Sequence, residues 1–319
     1  MGATTRDIFG NTAGAELATP GSYGQPPRGY RLPEATHLGP VRLQVAELSR
    51  SVAYYEQVLG FRTMAREASH ATLAAHGSDR PLLRLDEHPG ARPMRARGRL
   101  GLFHFAILLP DRPSLGRFVR HLGDLGVEAG AGDHLVSEAF YLHDPDGLGI
   151  EVYADRPRDT WRRIGRELMM ATDPVDVAGL LEAAGQSPWA GMPSGTTIGH
   201  VHLHVGNLAE AAAFYSESLG FDRTVWEYPG ALFFGAGGYH HHLGTNIWAG
   251  TRAEPPTADD ARLLEWTIEL PDAGSVAEAA ASLAAGGFTA ERDGADVVTR
   301  DPWGTAIRIR KDAGTTDSR

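Results

Sequence analysis

Residues 38–61, LGPVRLQVAELSRSVAYYEQVLGF, align without gaps on residues 198–221, IGHVHLHVGNLAEAAAFYSESLGF. A repeat constrains a fold more than local propensity does, because each copy must build the same supersecondary unit. Both copies read as a strand, a short turn and an amphipathic helix that stops at a glycine, Gly60 or Gly220. Farther on, GSDRPLLRLDE (77–87) falls in register with GGYHHHLGTNI (237–247). A second pair follows: FHFAILLPDRPSLGRFVRHLGDLGV (103–127) matches LEWTIELPDAGSVAEAAASLAAGGF (264–288), and YLHDPDGLGIEVY (141–153) matches VTRDPWGTAIRIR (298–310). The two halves therefore repeat, and each half is itself two strand–helix–strands units. Four βαβββ modules result, at roughly 38–90, 100–156, 196–250 and 262–311.

This organisation predicts an α+β chain with a flexible leader (1–36), a first domain of modules one and two (37–156), a linker (157–195), a second domain of modules three and four (196–311) and a tail (312–319). The leader is polar and rich in Gly and Pro, and lacks the apolar stretch of a secretory signal. No run of about 18 apolar residues is present, so a membrane span is not expected and a cytoplasmic protein is. A net charge of −10 argues against nucleic acid or an anionic membrane as partner. The chain has no cysteine, which excludes disulfides and thiolate metal sites. Any bound metal must use His, Asp or Glu.

The repeat also places unusual residues. In IGHVHLHV, His200, His202 and His204 occupy alternate positions of a strand and are expected on one surface. In YHHHL, read as a strand, His240 and His242 share one face and His241 takes the other. His104, alone on a strand among apolar residues, reads as a core histidine more readily than as a ligand. Glu151 lies between Ile150 and Val152 with its side chain directed oppositely to theirs, and a carboxylate on a buried face needs a partner.

HVGNLAEAAAFYSESLGF, HFAILLPD and DPDGLGIEVYADR resemble the vicinal-oxygen-chelate superfamily, which contains glyoxalase I, bleomycin-resistance proteins and extradiol dioxygenases. Taken with GHVHLHV and GGYHHHLGTNIWAG, the pattern is most similar to the two-domain catechol-2,3-dioxygenase group over residues 38–311. The resemblance implies two eight-stranded half-barrels, each from two modules, and a site of two His and one Glu that suits Fe(II) and also accommodates Mn(II). On the first strands the ligand position falls at Pro40, His104, His200 and Glu265; on the last strands of modules two and four it falls at Glu151 and Arg308. Modules one and four have lost the site, since Pro cannot ligate and Arg308 would repel a cation. His104, Glu151 and His200 form a full set only if modules pair two with three and one with four. His202 is kept as an alternative ligand.

The same resemblance makes His241 the acid–base residue, able to take a proton from a catechol and return one, and Tyr141 a hydrogen-bonding partner of the substrate. His134, His202, Tyr239 and Trp248 are expected as substrate contacts. The implied function is extradiol cleavage of a catechol by O₂, in a protein whose relatives often form homo-oligomers. A glyoxalase-like lyase or isomerase is disfavoured because the last strand of module three carries no carboxylate. A non-catalytic binding protein of the bleomycin-resistance type is disfavoured by the three ligand-type residues.

Overall fold

The computed structural model describes residues 2–10, 12, 14–95 and 97–314. The first residues form helix α1 (Thr5–Phe9) and strand β1 (Glu16–Leu17). Module one follows as β2 (His37–Val45), α2 (Leu48–Gln57), β3 (Arg62–Arg66), β4 (His70–Ala74) and β5 (Leu83–Glu87). Module two comprises β6 (Gly101–Leu108), α3 (Arg112–Leu125), β7 (Gly130–Asp133), β8 (Ser137–His143) and β9 (Gly149–Asp155). The connecting stretch holds β10 (Arg162–Ile164), β11 (Glu167–Leu168) and α4 (Val177–Ala183). Module three has β12 (Thr197–His204), α5 (Leu208–Ala211) continuing as a π-helical turn over Ala212–Ser218, β13 (Asp222–Val225), β14 (Ala231–Gly235) and β15 (Leu243–Asn246). Module four has β16 (Arg262–Leu270), α6 (Ala273–Ala285), β17 (Ala290–Asp293), β18 (Asp296–Arg300) and β19 (Ala306–Lys311).

Each module helix starts where a short polar side chain or a glutamate meets the exposed N–H groups of its first turn. Asp111 accepts from Ser114 N at 2.7 Å, Asp272 from Ser275 N at 2.8 Å, and Asn207 from Ala209 N at 2.7 Å. Glu47 caps α2 through Arg50 N. The stop at Gly60 is also required: its φ is +79°, and a Cβ there would lie 2.7 Å from Gly191 Cα.

Two eight-stranded mixed sheets run β13-β14-β15-β12-β6-β9-β8-β7 and β17-β18-β19-β16-β2-β5-β4-β3. Module three is thus joined to module two, and module four to module one, as the placement of the His and Glu residues requires. The joints are antiparallel pairs of first strands, with His202 opposite His104 and Trp266 opposite Val41. Leu43, Phe105, Val201 and Trp266, one from each first strand, belong to one continuous buried core.

Sequence neighbours remain tied through the turns. Tyr55 of module one donates to Asp144 of module two at 3.2 Å, and the equivalent Tyr215 of module three donates to Asp301 of module four at 2.7 Å. Each aspartate also holds its own DPxG turn, accepting from Leu148 N or Thr305 N.

The terminal and connecting segments differ from expectation. Within the expected flexible leader, residues 1–36, α1 is closed by a Thr4–Asp7 capping box and Thr5 N donates to Asp173 at 2.8 Å. Strand β1 pairs with β10, and β10 with β11, in a three-stranded sheet built partly from the linker. Long-range pairing satisfies polar groups whose composition alone suggests solvation. Of the expected tail, residues 315–319 lie outside the described residues.

Candidate metal centre

Strand β12 runs through the middle of its sheet, and all its residues from Ile198 onward are buried. Its two faces therefore meet different surroundings: Val201 and Leu203 enter the apolar core, while His200, His202 and His204 line a cavity of about 790 Å³. Strand β6 brings His104 alongside, and β9 brings Glu151. Donor atoms of His104, Glu151 and His200 all lie within 4.8 Å of one another. Glu151 Oε2 is 3.0 Å from His104 Nε2 and 3.2 Å from His200 Nε2.

All three side chains are nearly inaccessible, at 4, 2 and 1% exposure. Burial pushes both imidazoles below their ordinary pKa, so each presents an unprotonated nitrogen at neutral pH. His104 Nε2, although close to Glu151, is buried without an aligned hydrogen bond, and His200 Nδ1 also lacks one. A carboxylate enclosed by neutral imidazoles is short of positive charge, and orphaned ring nitrogens are short of partners. A divalent cation at their meeting point supplies the missing charge and a partner for His104 Nε2, so the residues fit such an ion.

The alternative ligand His202 is otherwise engaged. Its Nε2 accepts from Asn246 Nδ2 at 3.0 Å, while His204 Nδ1 donates to Asn246 Oδ1 at 2.6 Å. Asn246, on β15, is a residue that sequence reasoning missed. Nothing local to TNIW shows that it joins two histidines of another strand.

Tyr141 stands opposite Glu151 in the β8–β9 ladder. His134 donates through Nδ1 to Ala171 O at 2.6 Å, so its Nε2 is the acceptor for the Tyr141 hydroxyl at 2.5 Å. Burial, reinforced by the Glu151 charge, pushes the Tyr141 phenol well above its ordinary pKa. It stays neutral, with its oxygen lone pairs left for the cavity.

His240, His241 and His242 are not on a strand. They form the turn before β15, which begins only at Leu243. Strand alternation therefore does not orient them, and all three are buried. His241 still reaches the cavity, its ring 4.1 Å from that of His200 and 5.0 Å from that of Phe233. Burial, with His200 and His240 nearby, holds its imidazole well below the ordinary pKa.

Trp248 lines the cavity mouth at 40% exposure, its Nε1 donating to Pro229 O at 3.0 Å. Tyr239 does not reach the cavity. Its hydroxyl meets Tyr153 at 2.7 Å and Asp155 at 3.3 Å, farther along the face of β9 that carries Glu151. Sequence reasoning missed Phe103, Tyr228 and Phe233 as walls, and Gly2 and Ala3, which arrive from the other end of the chain. Ala3 N donates to Tyr228 Oη at 3.0 Å, a contact across 225 residues without a sequence signal.

The equivalent place in the other half-barrel is closed by protein charge. Arg308, equivalent to Glu151, forks onto Glu265, equivalent to His104, at 2.8 and 3.2 Å. A second acidic group there, Glu269 and Asp312 with His37, is neutralised by Arg80 and Arg310.

Residues 37–152 and 197–309 match the model of the glyoxalase/bleomycin resistance protein/dioxygenase superfamily. The chain belongs to this superfamily. Among its relatives is a catechol-2,3-dioxygenase of Bacillus subtilis (strain 168), 50% identical over 242 residues that make up 75% of this chain and 84% of the relative. Superfamily members of known structure share the fold at much lower identity. A Bacillus subtilis protein presumed to be a dioxygenase superposes with a TM-score of 0.60 at 11% identity, covering 89% of this chain and 87% of its own. Glyoxalase I from Zea mays gives a TM-score of 0.52 at 15% identity, covering 87% and 92%. Among the described residues, no helix is long and apolar enough to cross a membrane.

Proposed function

We propose that the protein is an extradiol ring-cleaving dioxygenase that opens catechol or a substituted catechol with O₂. The reading is carried by the buried donor set His104, Glu151 and His200 at the floor of the cavity, in a chain half identical to a catechol-2,3-dioxygenase over most of its length. These three side chains would hold the metal, Fe(II) in this reading, with Mn(II) accommodated by the same donors. Fe(II) held by these residues would supply the binding of diol and O₂ and the electron transfer that ring opening needs.

The protein's own groups bind and orient the diol. A cavity of about 790 Å³ leaves room for ring substituents. Phe103, Phe233 and Trp248 offer aromatic surface, and Tyr141 offers a hydroxyl oxygen fixed by His134. His241, buried and neutral, is the base that takes a proton from a catechol hydroxyl and later gives one back. A lyase or isomerase with a second carboxylate ligand fits less well, because β15 offers Leu243, Gly244, Thr245 and Asn246. In this reading the functional unit is the half-barrel of modules two and three, and the protein acts in the cytoplasm without a nucleic-acid or membrane partner.

The deciding experiment reconstitutes the protein with Fe(II) without air, adds catechol and then O₂, and follows the yellow ring-fission product. Colour that requires both iron and O₂ supports the reading. Tight metal binding with no colour from a panel of catechols overturns it in favour of non-oxidative chemistry, and failure to bind any metal overturns the site.

A further inference from the structure

Strand β9 carries Glu151 and, four residues on and on the same face, Asp155. Asp155 lies at the rim of the sheet, where its Oδ1 is 2.8 Å from His240 Nε2. The other ring nitrogen of His240, Nδ1, is 2.7 Å from His241 Nδ1. His240 is fully buried, packed at a tilt against Tyr239 with ring centroids 4.1 Å apart and edge-on to Trp161 at 5.4 Å, so its ring has little freedom to turn away.

The direction of this chain follows from what each group can do. A carboxylate oxygen only accepts, so the proton between Asp155 and His240 sits on His240 Nε2. In a neutral imidazole the other nitrogen is then an acceptor, which makes His240 Nδ1 accept from His241. With His240 carrying a single proton, on Nε2, His241 carries its own on Nδ1. Its Nε2 has no hydrogen-bond partner among the described residues and is the nitrogen left for the cavity that His241 lines.

We propose that Asp155 and His240 are positioning residues that lock His241 in its Nδ1–H tautomer and so present a bare Nε2 to the diol. The logic is that of a carboxylate-oriented histidine, extended by one imidazole. Without the Asp155 anchor, His240 can present Nδ1–H instead, and His241 is then free to carry its proton on Nε2, where it blocks proton uptake. The use made of Nε2 rests on the proposed function; the tautomer does not.

The test is a long-range ¹H–¹⁵N correlation on histidine-labelled protein with Zn(II) in place of any paramagnetic metal, with signals assigned through His240→Asn and His241→Asn. The wild type should show His241 protonated on Nδ1 and His240 on Nε2. In Asp155→Ala the His241 proton should distribute over both nitrogens. Ring-cleavage kcat should then fall about 10-fold or more, with KM for catechol within about twofold and metal content unchanged. Asp155→Asn, in which the anchor is no longer obliged to accept, replaces Asp155→Ala if the latter does not fold. Wild-type His241 protonated on Nε2, or a His241 signal that stays purely Nδ1–H when Asp155 is changed, overturns the proposal. Absence of ring cleavage in the wild type would sink the functional reading while leaving the tautomer measurement decisive.

Discussion

At the scale of single residues, the candidate centre depends on three side chains that have little use for one another without a cation. Glu151→Gln keeps the volume and removes the charge, and His200→Ala removes a ring. Both should reduce bound metal to background by elemental analysis and lower ring-cleavage activity more than about 100-fold. Retained metal in either variant would mean that the donors lie elsewhere. Tyr141→Phe separates orientation from metal holding. It removes only the hydroxyl that His134 fixes, so kcat should drop about 10-fold, about 1.4 kcal/mol, with metal content unchanged. His104 illustrates why single residues are hard to read: alone on a strand it reads as core, and only Glu151 and His200 beside it give it another purpose.

At the scale of elements, the close pairing of β6 and β9 sets the position of two of the three donors. Gly149 opens β9, and a Cβ added to it would lie 1.9 Å from Phe103 O and 3.2 Å from His104 Cβ. A backbone oxygen cannot swing aside as a flexible side chain can. Gly149→Ala should therefore cost about 1–3 kcal/mol in a thermal or urea melt and weaken metal binding by displacing His104. Gly123, in α3, is the contrast, because a Cβ added there would meet nothing within 4 Å. Gly123→Ala should stabilise by about 0.5–1 kcal/mol. Equal effects of the two substitutions would show that strand approach is not what requires Gly149.

At the scale of the whole molecule, two half-barrels built on the same repeat differ in charge. The Arg308–Glu265 fork stands where Glu151 and His104 stand in the other sheet, so titration with Fe(II) or Zn(II) should saturate at one ion per chain. Two ions per chain would refute this division. The arginine-rich half-barrel should also govern acid stability. Burial works against the Glu269 carboxylate, but hydrogen bonds from His37 and Arg310 overcome it and hold the carboxyl at about 2. A depressed carboxyl stabilises the fold above its unfolded value near 4.5, and that contribution, about 3 kcal/mol, is lost as pH falls toward 2. His37 has the opposite sign: its raised pKa adds stability that is complete below 6.5 and is lost as pH rises through the raised value. Glu269→Gln should flatten the acid limb of the stability–pH curve measured by urea melts. An unchanged limb would place the acid sensitivity in other carboxylates.

Several features were determined by the sequence on its own. The four modules and the helix stops at Gly60 and Gly220 follow from periodicity and caps, because these are local patterns repeated in register, while the crossed pairing follows from the surviving His and Glu positions once the superfamily resemblance says where ligands fall. The tertiary structure decided what depends on contacts between distant residues. It placed His240–His242 in a turn, drew Tyr239 out of the cavity, tied His202 and His204 to Asn246, and seated Ala3 against Tyr228. Period and composition encode which face of an element is buried. They carry no record of which hydrogen-bond partner another part of the chain will bring to it.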